Sequence, residues 1–227
     1  MHCADGTRFG SHMAGGAYVA IAGNDRWKHR FGGDTWRPVD ANKVFDGPVL
    51  LVVLDLSDER LATLRMRGLS ELALCSYINC SVWDGRQRYR ICPEEKTVVL
   101  LDRDVTHPQP LAPEDMLPNP LPEKPLVLQP LPENEECINE DSYWRACDEF
   151  LGGHSFIRVL GHPVWLQHVE QELCECSRIM ETFCCIGYEH YESRTLLDGA
   201  PFFIGEGALY FSLCKECLRL TVTSQSS

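Results

Sequence analysis

Apolar positions in this chain fall mostly into short runs, many alternating with polar residues, which is the spacing of strands rather than helices. Residues 49–56 (VLLVVLDL) are continuous and β-branched, so they predict a strand buried on both faces. Ser57 follows in the position of a helix N-cap, with Asp58 and Glu59 in a first turn where the helix dipole favours carboxylates. Gly68 is placed to stop that helix. In residues 77–91 (YINCSVWDGRQRYRI), Asp84 and Gly85 suit a two-residue turn between alternating arms, which predicts a β-hairpin. Further strands are expected at residues 97–101, 155–160, 181–188 and 208–213. Residues 141–153 (DSYWRACDEFLGG) predict a short helix with Trp144, Cys147 and Phe150 on one face and Gly152 at its end.

Punctuation divides the chain. Gly32 and Gly33 mark a tight turn or a close backbone approach. Between His107 and Glu133 stand nine prolines. Each removes a donor and fixes φ, so the expectation is an extended segment laid on a core, with no helix or central strand. A proline-rich docking ligand is the sharper alternative. Strands dominate without β-α-β alternation. The predicted fold class is therefore α+β: strand-rich, largely antiparallel sheets with a few short helices. The expected organisation is a single compact domain over residues 1–227, made of two packed halves (15–106 and 134–223) joined by the proline-rich segment 107–133.

Charge narrows the choice of partners. Lys and Arg number 21 against 33 Asp and Glu, a formal charge of −12. Such a surface repels phosphate backbones, which argues against nucleic acid and suits a basic protein partner, although solubility explains it equally well. The longest apolar run, residues 48–56, is far shorter than the roughly 20 residues of a membrane-spanning helix. The opening residues lack the layout of a signal peptide, and GSHM at residues 10–13 reads as coincidence within natural sequence. Twelve cysteines without an export signal point to a reducing compartment, the cytoplasm, where thiols bind metal or pack in cores.

Four of those cysteines carry the strongest chemical signal. Cys214 and Cys217 form a C-x-x-C between two alternating segments, the usual half-site at a hairpin tip. Cys174 and Cys176 form the other close pair, a C-x-C whose sulfurs converge only if the backbone bends sharply. Together they predict a structural Zn2+ site, closed by four thiolates and without an open position for catalysis. Two alternatives compete with this: unmetallated thiols packed as small hydrophobes, and a redox C-x-x-C, which would normally open a helix after a strand. Cys184 and Cys185 should face opposite sides of a strand, one in the core and one half-exposed. His162 and His168 read as hydrogen-bonded structural histidines. An enzyme using Cys184 or Cys185 with His162 or Glu206, near residues 161–167, is the competing functional class. GEGALYF lacks the lysine of a phosphate loop.

FGGDTWRP followed by GPVLLVVLDLSDERL, and later FLGGHSFIRVLGHPVWLQ, CECSRIM and FFIGEGALYFSLCKEC, resemble segments of YwqG-like proteins, a bacterial family of poorly defined function. The likeness runs in outline from Phe31 to Gln225; the proline-rich segment and the C-x-C pair depart from the family pattern. The resemblance implies a compact, largely antiparallel α+β domain and no catalytic residues. It also implies an immunity- or antitoxin-like role against a basic toxin. The expected function is thus a non-enzymatic, acidic, zinc-stabilised interaction protein.

Overall fold

The computed structural model describes residues 12–13, 15–41, 47–80, 85–104, 109–137, 139–193, 195–205 and 207–226. Thirteen strands and one α-helix occur among them. The strands are β1 (Tyr18–Ala22), β2 (Arg30–Phe31), β3 (Arg37–Val39), β4 (Val49–Asp55), β5 (Glu71–Ser76), β6 (Arg86–Cys92) and β7 (Thr97–Arg103). They continue with β8 (Lys124–Pro130), β9 (Ile157–Val159), β10 (Glu172–Leu173), β11 (Ile179–Ile186), β12 (Gly207–Cys214) and β13 (Arg219–Ser226). The helix α1 is Glu140–Leu151.

One path of strands runs β3-β7-β6-β13-β12-β11-β9-β1-β8-β2-β4-β5, with β10 added beside β11. The β3–β7 pair is parallel, whereas the other strand pairs among the described residues are antiparallel. The two ends of the path approach each other, with β3 packed near β4. Glu71, the first residue of β5, accepts from Trp36 Nε1 (3.0 Å), Arg30 (2.8 Å) and Lys96 Nζ (3.1 Å). Just past β5, the Tyr77 amide donates to Gln87 Oε1 on β6 at 2.9 Å. These bonds curl the sheet into a nearly closed barrel, which leaves little free edge. One large apolar core fills it, drawing on β4, β5, β8, β9, β11, β12 and β13.

This architecture corrects the α+β expectation: the protein is mostly β, and its two halves are not separate packed units. β13 pairs with β6, and β1 lies between β8 and β9, so the first and last parts of the chain interleave in one sheet. Periodicity reveals that a segment is a strand but carries no information on which distant strand completes its hydrogen bonds.

Local expectations fared unevenly. β4 is the buried strand predicted from VLLVVLDL, with Val49–Leu54 all in the core. The hairpin expected across Asp84–Gly85 does not form, because β5 pairs with β4 while β6 has both edges taken by β7 and β13. Asp84 itself lies outside the described residues. The tight hairpin is instead β6–β7, turned by residues 93–96 with Lys96 at φ 47°. Proline density also misled: β8 is an interior strand between β1 and β2. Its prolines, Pro125 and Pro130, sit near its ends, and Leu126 and Leu128 alternate into the core. In α1, an Asn139–Ser142 capping box opens the helix and Gly152 closes it. Ala146, Cys147 and Phe150 are its buried stripe, while Trp144 is 61 % exposed. At about 100° per residue, Trp144 falls well round the helix from that stripe.

Asp58, not Ser57, caps the turn after β4, a 3-10 helix at Glu59–Leu64 that ends at Arg65. Ser57 turns back to Asp55. Asp58 is buried and accepts from the Arg60 amide (2.9 Å), the Arg60 guanidinium (2.6 Å) and His29 Nε2 (2.8 Å). His29 Nδ1 accepts from the Asp55 amide, so Nε2 carries the proton. Arg60 also donates to Leu128 O of β8, tying the turn to the barrel wall. Burial alone would raise the Asp58 pKa, but hydrogen bonds from Arg60 and His29 outweigh it and hold the carboxyl below its ordinary 3.8. Asp58→Ala should therefore cost about 3 kcal/mol at neutral pH, because it strands the buried His29 imidazole and takes the main carboxylate partner from the partly buried Arg60 guanidinium. In urea melts, the gap between wild type and variant should be full above the ordinary pKa of 3.8. It should close as pH falls through the lower folded-state value, since the unfolded carboxyl protonates first. A gap that persists unchanged into acid would contradict this assignment.

Candidate metal centre

Two hairpin tips meet at one end of the barrel. β10 and β11 form the first, with Cys174 and Cys176 in its turn; β12 and β13 form the second, with Cys214 ending β12 and Cys217 in the turn. Glu181 of β11 lies opposite Leu213 of β12, so the beginning of one strand stands beside the end of the other and the tips become neighbours.

The bend that C-x-C requires is present. The Ser177 amide donates to Cys174 O (2.7 Å), the Cys174 amide donates to Arg178 O (2.9 Å), and Ser177 takes φ 65°. Leu218 makes the matching left-handed step after Cys217, at φ 51°. Each turn folds its two sulfurs toward the other tip.

All four sulfurs lie within 4.8 Å of one another, and Cys176 Sγ is 3.7 Å from Cys214 Sγ. A tetrahedral zinc with Zn–S bonds near 2.3 Å places its sulfurs about 3.8 Å apart. The four cysteines could thus hold a metal ion, and their donor chemistry suits a soft or borderline one. Cys174 and Cys214 are buried against Met180, Cys217 is half-buried and Cys176 faces solvent. Ion pairs cross between the tips, Arg219 with Glu175 (3.1 Å) and Arg178 with Glu216 (4.0 Å). Exposed pairs of this kind add little stability.

Electrostatics separates Cys174, Cys176 and Cys217. The Arg178 amide, followed by Cys217, draws the Cys176 pKa down to about 7, whereas donation to Cys176 and Cys174 pushes Cys217 up to about 12. Burial raises Cys174. Four sulfurs this close cannot all ionise without a cation among them.

The remaining sequence candidates do not assemble with them. Cys184 points into the main core and Cys185 into a second cluster beside Trp165 and Tyr210, on opposite faces as alternation predicts. Both are only 2 % exposed, which corrects the expected half-exposed thiol. Burial lifts Cys185 to about 11 and Cys184 well above its ordinary value, the reverse of an activated nucleophile. The His162 ring packs against His12 with centroids 4.1 Å apart. His168 is exposed, 3.5 Å from Glu170. Glu206 lies outside the described residues. Sequence reasoning passed over Met180, whose place beneath the sulfurs follows from the register of β10 on β11.

Compared with known proteins, the chain matches no family model, no curated protein and no solved structure. No helix among the described residues is long and apolar enough to cross a membrane.

In metal-free protein, iodoacetamide should label Cys176 first, because it is the exposed member of the four. Cys75, Cys184 and Cys185 should react only after unfolding, as buried thiols do. Peptide mapping by mass spectrometry reads the order; early labelling of Cys184 or Cys185 would contradict their placement in the core.

Proposed function

We propose that this chain is a non-enzymatic, cytoplasmic interaction protein, stapled by Zn2+ and acting through an acidic surface on a basic protein partner. Convergence of the four sulfurs is the observation that carries the zinc assignment. A thiolate set with tetrahedral edges favours zinc over harder cations. Bound there, the metal supplies a cross-link and no Lewis acidity toward substrate, since four protein ligands leave no open position. Cys174 and Cys176 would be fixed to Cys214 and Cys217 across a loop of about 40 residues, which lowers the entropy of the unfolded chain. The charge of −12 supports a basic partner. The motif resemblance to YwqG-like proteins supports the narrower version, an immunity- or antitoxin-like protein that neutralises a basic toxin. Burial of Cys184 and Cys185 weighs against the Cys/His enzyme.

Elemental analysis of purified protein should find one zinc per chain, and Cys217→Ser should lose it together with a large drop in Tm. No metal in wild type, with Tm unchanged in the variant, would remove the staple. The partner is tested separately: affinity capture from native lysate should recover a basic protein whose retention falls as salt rises. Capture of no protein at physiological salt would refute the interaction reading while leaving the zinc site standing.

A further inference from the structure

Away from the cysteine end, a cleft of about 410 Å3 opens between the carboxyl end of α1 and the β1–β8 pair. Its lining includes Glu135, Glu149, Glu189 and His154 together with apolar Val19 and Ile21. Three carboxylates therefore share one cavity. None of the three makes an ion pair among the described residues, although many of the chain's other carboxylates do.

Glu189 is the unusual member. It is 2 % exposed, and among the described residues its carboxylate receives a single hydrogen bond, from the Leu196 amide to Oε2 at 2.7 Å. A buried carboxylate normally gathers several donors or a cation, because its desolvation is expensive. Burial pushes Glu189 up to about 7. Burial, and then Glu149, also raise Glu135 despite opposing Arg158, Arg145 and His154. The buried Arg158 guanidinium spends its hydrogen bonds on Ser155 O, Glu135 O, Ala146 O and Ser155 Oγ rather than on these carboxylates. α1 directs the negative end of its dipole toward the same place and carries no basic residue in its last turn. His154 of the lining stacks on His190 (5.2 Å), and His190 on Tyr191 (4.6 Å).

We propose that this cleft receives one lysine or arginine side chain of a protein partner, its cationic group meeting Glu189 inside and Glu149 and Glu135 at the rim. Apolar Val19 and Ile21 in the same lining suit the methylenes of such a side chain. The word partner rests on the interaction reading above; the cleft's preference for a cation does not.

The test titrates the isotope-labelled, full-length protein with N-acetyl-lysinamide, N-acetyl-argininamide, neutral N-acetyl-norleucinamide and putrescine, followed by amide chemical shifts. The lysine and arginine probes should shift the Leu196, His154 and Ser155 amides saturably, and the neutral probe should not. Glu189→Gln and Glu149→Gln should each weaken the cationic probes about tenfold or more, with distant amides unmoved. Glu149 is only half-buried, so its variant still tests the cleft even if Glu189→Gln fails to fold. Equal binding of the neutral probe, silence of the cleft amides, or indifference to Glu149→Gln would overturn the proposal. Tighter binding of putrescine than of both amino-acid probes would overturn the assignment to a partner's side chain. A captured basic protein that binds Glu149→Gln as tightly as wild type would sink the cleft and spare the interaction reading. Probe binding without any captured partner would do the reverse.

Discussion

The antiparallel register of β11 on β12 governs the cysteine end of the molecule. With Glu181 opposite Leu213, each of these strands begins where the other ends, and both hairpins turn at the same rim of the barrel. A shift of one residue would turn alternate side chains to the other face and move the C-x-C turn away from the C-x-x-C turn. The register is held by burial on both sides: Phe183 and Cys184 of β11 and Phe211 of β12 belong to one core, Cys185 and Tyr210 to another. Tight packing of the sheet thus precedes the metal centre. The site is a consequence of a wall that has little freedom to slip.

Acidic charge is distributed along two different lines. Asp58 and Glu71 are buried or half-buried carboxylates surrounded by donors, and they hold the connections around β4 and β5 to the barrel. Their favourable interactions outweigh desolvation, so both pKa values fall. Glu189 has the burial with one backbone donor among the described residues, and its pKa moves the other way. The contrast separates carboxylates that serve the fold from Glu189, which shares its cleft with Glu135 and Glu149. In a chain with 33 acidic residues, nothing in the linear order distinguishes the two groups.

Much of the local structure is readable from neighbouring residues alone. β4, β7, β11, β12 and β13 lie where alternating or continuous apolar runs put them, because a strand's burial pattern is written directly into adjacent positions. Local composition points the wrong way in three places. Asp84–Gly85 has the composition of a hairpin turn, yet β13 and β7 occupy both edges of β6. The proline-rich segment supplies an interior strand because its prolines fall near the ends of β8. Trp144, apolar by type, faces solvent because α1 buries a different stripe, Ala146, Cys147 and Phe150.

The sequence by itself determined the four cysteines, their two close spacings and the strands flanking Cys214 and Cys217, since these are properties of adjacent residues. It also determined the acidic balance. The tertiary structure decided that the α+β expectation gives way to one interleaved, nearly closed sheet, that the C-x-C bends enough to complete a four-sulfur cluster, and that three glutamates share a cleft. Each of those outcomes depends on hydrogen bonds and packing between segments far apart in the chain. Partners at that distance are selected by global closure of the sheet, which no local pattern encodes.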